Sequence, residues 1–577
     1  MKSARFALAL PRSPGPDYSR APEIVARIGD LCGPGPRLWT DQHLPCLALG
    51  RAGYVLGPLF SRSSMALHKS VPLGAPLDRS AGDLAVWLMR ECWGAYCAVL
   101  VDPRTGTLEI VADPSGLLAV YRIDLPHHCL LISAPSLIAR ASGSPPAVCW
   151  QGLEQYLRWP ELRCRPTCLK GVSELAPGEL VCLSAPEVPA RPVWQAEDHL
   201  PGDRPGPFEE AAEDLRDIAA AVIGAWADWL GPVAVAASGG VDSSLICAAL
   251  SQGGKPFGCV TVSTGDPSGD ERKHVELLAG HLGVAVSAEV YDRCSFDPWR
   301  PASAGLPRPS RRSFLRALDV ALDRAAGDLG APTILDGNAG DNLFCFLHSA
   351  APVVDRLSVC GIGGGSWNTL LDMCRITGCD VPTMARAVWR RLVRGGSGAL
   401  WPADERLLKD SCNAAVPQPL RPWLDTPVGR HSGKRDHLVL IMRVQHHVHA
   451  LGAGLPRFSP LMSQPLLEFC LGVPTWLWCR GGINRALARA AFSDVLPPQI
   501  LSRTSKAGPD SFIRACFETN RATLREILLD GLLAEHGLLD RAAAEQAFDA
   551  DTHCTDPIIY RLLDLVEAEV WARSWRP

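Results

Sequence analysis

The stretch VAVAASGGVDSSLICAAL, Val233 to Leu250, decides how the second half of the chain is built. Its opening run of small apolar residues reads as a buried strand, and SLICAALSQGG reads as a helix stopped at Gly253-Gly254. Between them Ser238-Gly239-Gly240 makes a tight strand-to-helix turn. Glycine lets a backbone curl its N–H groups around an anion with no Cβ in the way, and Ser243 and Ser244 add hydroxyl donors. A phosphate or pyrophosphate at a helix N-terminus is the guest such a turn suits. Asp242 would repel that guest unless a cation lay between them, which argues for Mg²⁺ bridging carboxylate and phosphate. A Walker A loop is excluded, because the lysine is missing and the spacing differs. A plain turn capped by Asp or Ser would explain a bare Gly-Gly pair. The complete SGGVDSS, placed after a buried strand and before a helix, weighs against that.

Outward from this turn the text alternates. PFEEAAEDLRDIAAAVIGAWADWL carries acids in its first turn and apolar residues at helical spacing. After the turn come FGCVTVST as a strand, DERKHVELLAGHLG as a helix stopped by Gly283, AVSAEVY as a strand, a helix around SFLRALDVALDRAAGDLG, and PTILDG as a fourth strand. Strands alternating with helices predict a parallel sheet with helices on both faces, followed by a mainly helical remainder in which IGGGSW and VRGGSGALWP mark loops. The first half is different. YCAVLVD and TLEIVAD around PRTG read as a hairpin, and Pro177-Gly178 precedes another strand, ELVCLS. The Pro, Gly and acid-rich text between them and the helical half marks a boundary. The fold class is α/β: a β-rich sandwich over 1–185, a linker over 186–207, and a parallel-sheet domain over 208–577.

Composition bounds the function. A chain of 577 residues is too long for one core. Net charge of −4 and pI near 6.4 give no reason to expect a broad nucleic-acid or membrane surface. No apolar span has membrane-crossing length and the N-terminus lacks a secretory h-region, so a cytoplasmic protein is expected. The 21 cysteines are spread along the chain and read as reduced thiols; Cys164 and Cys168 have no second pair at zinc spacing. Only eight cations are lysine, so a lysine kept among arginines marks a place for a compact ammonium. Lys506, in RTSKAG, is such a lysine.

SGGVDSS resembles the pyrophosphate loop of the N-type ATP pyrophosphatases, and its surroundings resemble the asparagine synthetase superfamily. TVSTGDPSGDERKHVELLAGHLG, LDGNAGDNLF (Leu335 to Phe344), SPLMSQPLLEFCLGVP (Ser459 to Pro474) and RGGINRALARAAFSDVLPPQILSRTSKAG (Arg480 to Gly508) carry that likeness in order. YCAVLVDPRTGTLEIVADPSGLLAVY and LKGVSELAPGEL resemble, more weakly, the glutaminase-like Ntn-type domain of the same proteins. A working glutaminase needs a cysteine as its first mature residue, and here the first cysteine is Cys32, so a degenerate, non-hydrolysing domain is expected.

The resemblance implies an adenine nucleotide α-hydrolase-like (PP-loop) domain using ATP and Mg²⁺. Ser238, Gly239, Gly240, Val241, Asp242, Ser243, Ser244, Val262, Asp336 and Gly337 would meet the nucleotide, and Asp242 and Asp341 would hold the metal. Lys506 would stabilise the pyrophosphate and the oxyanion, which makes Lys506, Asp242 and Asp341 the catalytic set. Asn338 stands where asparagine synthetases have Glu and β-lactam synthetases have the Tyr of a Tyr/Glu base pair, and an amide is no base near pH 7. GDNLFC, SQPLLE and GVPTWLW look most like lasso peptide isopeptide-forming cyclases. That branch implies adenylation of an Asp or Glu side chain of a precursor peptide, attack by the peptide's own N-terminal amine, and release of AMP and pyrophosphate. It also implies a leader peptidase and a leader-binding protein as partners. A β-lactam synthetase-like ligase on a small substrate is the alternative. The three histidines His446, His447 and His449 read as a helix face or as a source of the missing base, and the 17 tryptophans as core or as cavity lining.

Overall fold

The buried run Val233–Ala236 is the middle strand of a five-stranded, all-parallel sheet. The structure, a computed structural model, describes residues 5–576 apart from 12–21, 26–27, 29–30, 32–34, 41–43, 186–187, 203–205, 264–268, 292–295, 312–314, 395–400, 411–415, 421–422, 424–425, 450–453, 505–507, 509 and 551–556. The sheet runs Val286–Val290, Phe257–Ser263, Val233–Ala236, Ile334–Asp336, Arg457–Phe458. The chain builds outward to one side from the middle strand, then returns to its other side. Strand order therefore reverses between Val233–Ala236 and Ile334–Asp336, and in open α/β sheets ligands sit beyond the carboxyl ends of strands at that reversal. Ala236 pairs with Asp336 at the end of this strand pair, so both following loops leave from one level.

Helix Phe208–Leu230 buries Ala212, Leu215, Ala219, Val222, Ile223 and Trp226, the helical stripe its sequence predicts. Helix Val241–Gln252 is buried from Ser243 to Leu250, its first two serines included, and ends at Gly253. Helix Arg272–Leu282 stops on Gly283 in the left-handed region, φ 68°. Leu315–Asp328 forms the next expected helix. IGGGSW departs from expectation: a helix, Gly364–Thr377, starts on those glycines, and at Gly365 the missing Cβ leaves room for the guanidinium of Arg356, which lies 2.6 Å from where that atom would sit.

Among the described residues the N-terminal half is β-rich, with two six-stranded sheets and a two-stranded one. The expected hairpin is present as Cys97–Val101 paired antiparallel with Leu108–Ala112. In Phe6–Pro11 the period of two sends Phe6, Leu8 and Leu10 into a core with Leu56, Val99 and Val111 of the second sheet. Ala7 and Ala9 meet a second core with Phe517, Leu562 and Trp571 of the C-terminal helices. The segment between the halves is strapped down: Arg191–Pro192 pair with Glu179–Leu180, and buried Trp194 donates to Glu468 Oε1 at 2.8 Å. Among the described residues no helix is long and apolar enough to cross a membrane.

The C-terminal helix Pro557–Ser574 carries a buried carboxyl, Glu567, that receives N–H groups of Ala302 (3.2 Å) and Ser303 (2.8 Å). Burial nevertheless pushes its pKa up to about 7. The folded chain thus holds this proton more tightly than the unfolded chain, whose glutamate titrates near 4.5. The stabilisation is full below that value and is lost as pH rises through about 7. Glu567→Gln is expected to remove roughly 2–3 kcal/mol of the stability difference between pH 4 and pH 8, read from urea midpoints. An unchanged difference would place the pH dependence elsewhere.

Candidate active site

The first limb of the site is the turn after Val233–Ala236. Gly239 has φ +64°, and a Cβ there would strike the Cβ of His274, so the position requires glycine for both conformation and space. Ser243 Oγ accepts from Ser238 N (3.3 Å), and Ser238 Oγ accepts from Gly240 N (3.3 Å), which folds the turn onto its own helix. The N-cap is Gly240, with extended backbone and no side-chain cap. The positive end of the helix therefore faces the turn without a capping oxygen. Ser243 and Ser244 are buried against the sheet, and Val262 lies half-buried in the neighbouring strand Phe257–Ser263.

The second limb leaves Ile334–Asp336 through Gly337 and Asn338 to a single helical turn, Gly340–Leu343, which carries Asp341. A Cβ on Gly337 would lie 2.8 Å from the backbone nitrogen of Ser243, and one on Gly340 would overlap the carboxyl of Asp242. These two glycines are what let the limbs touch. Asp336 itself is buried, accepts from Ser459 Oγ (2.6 Å) and Asn338 N (3.1 Å), and has its pKa raised by burial. Asn342 Nδ2 donates to Leu440 O (2.6 Å) and His437 Nε2 lies 2.8 Å from Leu343 O, tying the turn to helix Gly433–His449. Gly340→Ala is expected to push the two limbs apart and lower turnover by about 30- to 100-fold while the protein stays folded, because only a local backbone shift is needed. Activity within threefold of wild type would show that the limbs need not touch.

Arginines close the site. Arg485 Nη1 lies 2.7 Å from Asp242 Oδ2 and 2.5 Å from Asp341 Oδ1, so the two carboxylates converge on a single nitrogen. Arg503 donates to Ser238 O (2.5 Å) and to Glu271 Oε1 (2.6 Å), bracing the turn from outside. Arg489 donates to Asn484 O (2.9 Å), Asn484 Oδ1 (3.0 Å), Arg503 O (3.0 Å) and Leu501 O, joining the segments that bear the other two. Burial and then the charge of Arg485 push Arg489 down to about 10. Burial, then Arg503, also lowers His274.

The structure thus brings together Ser238, Gly239, Gly240, Val241, Asp242, Ser243, Gly337 and Asp341. Lys506 lies outside the described residues, as do the side chains of His446, His447 and His449. Sequence reasoning missed Arg485, Arg489 and Arg503. One signal was available, and only for Arg485: it is the N-cap of helix Ala486–Ala491, where a cation opposes the helix dipole and needs another reason to be present, whereas Arg489 lies in the last turn, where the dipole favours it. Two hard oxygen donors facing a glycine-opened turn fit Mg²⁺. Among the described residues no group of three or more His, Cys, Asp and Glu could hold a metal, so phosphate oxygens and water would complete its shell.

Comparison with known proteins bears on this arrangement. The family model described as Asparagine synthase matches residues 228–360 and 450–573. The first block holds the turn, Asp242 and Asp341, and the second holds Arg485, Arg489, Arg503 and Lys506; residues 361–449 lie outside the match. No curated protein matches the chain. Among solved structures, glutamine phosphoribosylpyrophosphate amidotransferase from B. subtilis, complexed with ADP and GMP, is similar at 11% identity and a TM-score of 0.16, over 49% of this chain and 70% of that one. The two blocks together cover a little under half of the chain, and over them the chain is similar to asparagine synthase.

Proposed function

We propose that the chain closes a macrolactam ring in a ribosomal lasso precursor peptide, joining an Asp or Glu side chain to the peptide's own N-terminal amine. The observation that carries the ligase chemistry is the convergence of Asp242 and Asp341 beside an uncapped, glycine-opened helix N-terminus at the sheet's reversal point. The lasso assignment draws on Asn338 in place of a base and on the GDNLFC, SQPLLE and GVPTWLW segments.

ATP enters as substrate with its phosphates in the Ser238–Ser244 turn and its adenosine toward Val262, Asp336 and Gly337. Bound between Asp242 and Asp341, Mg²⁺ would offset phosphate charge and make pyrophosphate a better leaving group. The peptide carboxylate oxygen forms a bond to the α-phosphorus as the bond to pyrophosphate breaks. The amine then attacks the acyl carbon, loses a proton, and AMP leaves with the carboxyl oxygen. Lys506, three residues past Arg503, supplies the cation for the leaving pyrophosphate and the tetrahedral oxyanion. The N-terminal half serves as a degenerate glutaminase-like support. A leader peptidase and a leader-binding protein act beside it in the same compartment, the cytoplasm, with neither nucleic acid nor membrane as partner.

The test is incubation with ATP, Mg²⁺ and a linear core peptide encoded beside the gene. Loss of one water from the peptide, matched by AMP and pyrophosphate, is the expected result. Turnover only with a small β-amino acid would point to a β-lactam synthetase-like ligase, and ADP as product would end the proposal.

A further inference from the structure

Arg485 occupies the seat that the reading above gives to the metal, and this inference rests on that reading. We propose that Arg485 is an exchangeable counter-ion: it holds Asp242 and Asp341 together before nucleotide binds, and metal-bound ATP displaces it onto the phosphates.

The geometry of the contact is that of a cation built to leave. A guanidinium holds a carboxylate best through two parallel N–H bonds, yet here one nitrogen, Nη1, is shared by two carboxylates. The remaining ties of the side chain are light: Nε donates to the adjacent Asn484 Oδ1 at 3.2 Å, and the guanidinium lies 5.4 Å from the ring of Phe346. Its backbone, φ 54° and ψ 35°, is left-handed, a conformation that a residue with a Cβ adopts only at a cost. It also sits at the N-cap of Ala486–Ala491, before the first helical turn, where rotation about the side chain's own χ bonds can re-aim the guanidinium without moving the helix. Arg489, by contrast, is held by four acceptors and cannot follow. The charge of Arg485 is among the causes that lower Arg489, so the two cations repel and the seat between the acids is contested.

Exchange needs little movement. Oxygens on Mg²⁺ lie at about 2.1 Å, so each carboxylate would close by roughly half an ångström from its present distance to Nη1. A divalent ion arriving with phosphate ligands replaces a single charge, and the released guanidinium faces the anion that displaced it. Metal alone brings no phosphates and must compete with Arg485 for two carboxylates. The pair is thereby kept from holding a metal until nucleotide comes.

The test uses the full chain without nucleotide, with Mn²⁺ as probe, followed by electron paramagnetic resonance and thermal unfolding. Wild type is expected to bind Mn²⁺ weakly, and its midpoint to be insensitive to millimolar Mg²⁺. Arg485→Met should bind Mn²⁺ at least about tenfold more tightly, unfold at lower temperature without metal, and recover with Mg²⁺, because the cation that both carboxylates share at 2.7 and 2.5 Å is then gone. Adding Asp341→Asn should abolish that tightening. Arg485→Lys, which keeps the charge on a stem that presents it differently, should tighten Mn²⁺ binding only several-fold and covers the case in which the Met variant does not fold. If neither variant binds Mn²⁺ more tightly than wild type, the counter-ion role is overturned. The ligase reading fails separately, if Asp242→Asn and Asp341→Asn leave AMP formation intact.

Discussion

Asp242→Asn and Asp341→Asn are each expected to lower ATP-to-AMP turnover by about a thousandfold, the order seen when one group stabilising transition-state charge is removed. The two residues arrive from different limbs, one from the turn after Val233–Ala236 and one from the turn after Ile334–Asp336, and meet at a shared cation position. An amide keeps the shape and removes the charge, so an effect of this size would report electrostatics and not packing. Because the acids would act as one clamp, the double variant should lose little more than either single one. The expected readout is radiolabelled AMP at saturating peptide, with the thermal midpoint followed in parallel to show that the fold persists. Single variants within tenfold of wild type would remove these residues from the chemistry, and additive losses would mean two independent sites.

Much of this arrangement was legible in the sequence because it is local. Three strands of the parallel sheet are mainly apolar, buried runs, Val286–Val290 is a half-exposed strand legible from its place between two helices, and the turn at Ser238–Ser244 is contiguous, so its residues announce one another. The fifth strand, Arg457–Phe458, is two residues long within LPRFSP and exists only because Ile334 and Leu335 offer it a partner. No local pattern could reveal it. The same limit hid the arginines. Arg485 lies 243 residues from Asp242 along the chain, and the contact between them is a product of helix Ala486–Ala491 packing beside the Ser238–Ser244 turn. The scarcity of lysine directed attention to Lys506 and away from the default cation, and three copies of that default line the site. For Trp226, Trp93, Trp478 and Trp571 the ordinary expectation holds: all are fully buried.

Trp226→Ala is expected to cost about 3–5 kcal/mol, and to weaken both halves of the molecule at once. Trp226, on helix Phe208–Leu230, stands at the centre of an aromatic cluster drawn from three parts of the chain. Its ring lies 5.0 Å from Phe60 and 5.8 Å from Trp93, residues that pair across two short strands of the N-terminal half. On the other side it lies 4.7 Å from Phe458, in the edge strand of the parallel sheet, and its Nε1 donates to Ser463 Oγ at 2.8 Å. Truncation would leave a cavity bounded by both halves, and neither could fill it without moving against the other. Since the core containing Trp226 runs without a break from the first sheet to helix Val241–Gln252, unfolding should remain a single transition, shifted to lower denaturant concentration with its slope unchanged. Trp226→Phe keeps most of the ring contacts, loses the bond to Ser463, and should cost only about 1–2 kcal/mol. Two separated transitions in the alanine variant would show that the halves are stable units that merely touch. A single shifted transition would show that the β-rich half is part of the scaffold that holds the parallel sheet, and with it the limbs carrying Asp242 and Asp341, in place.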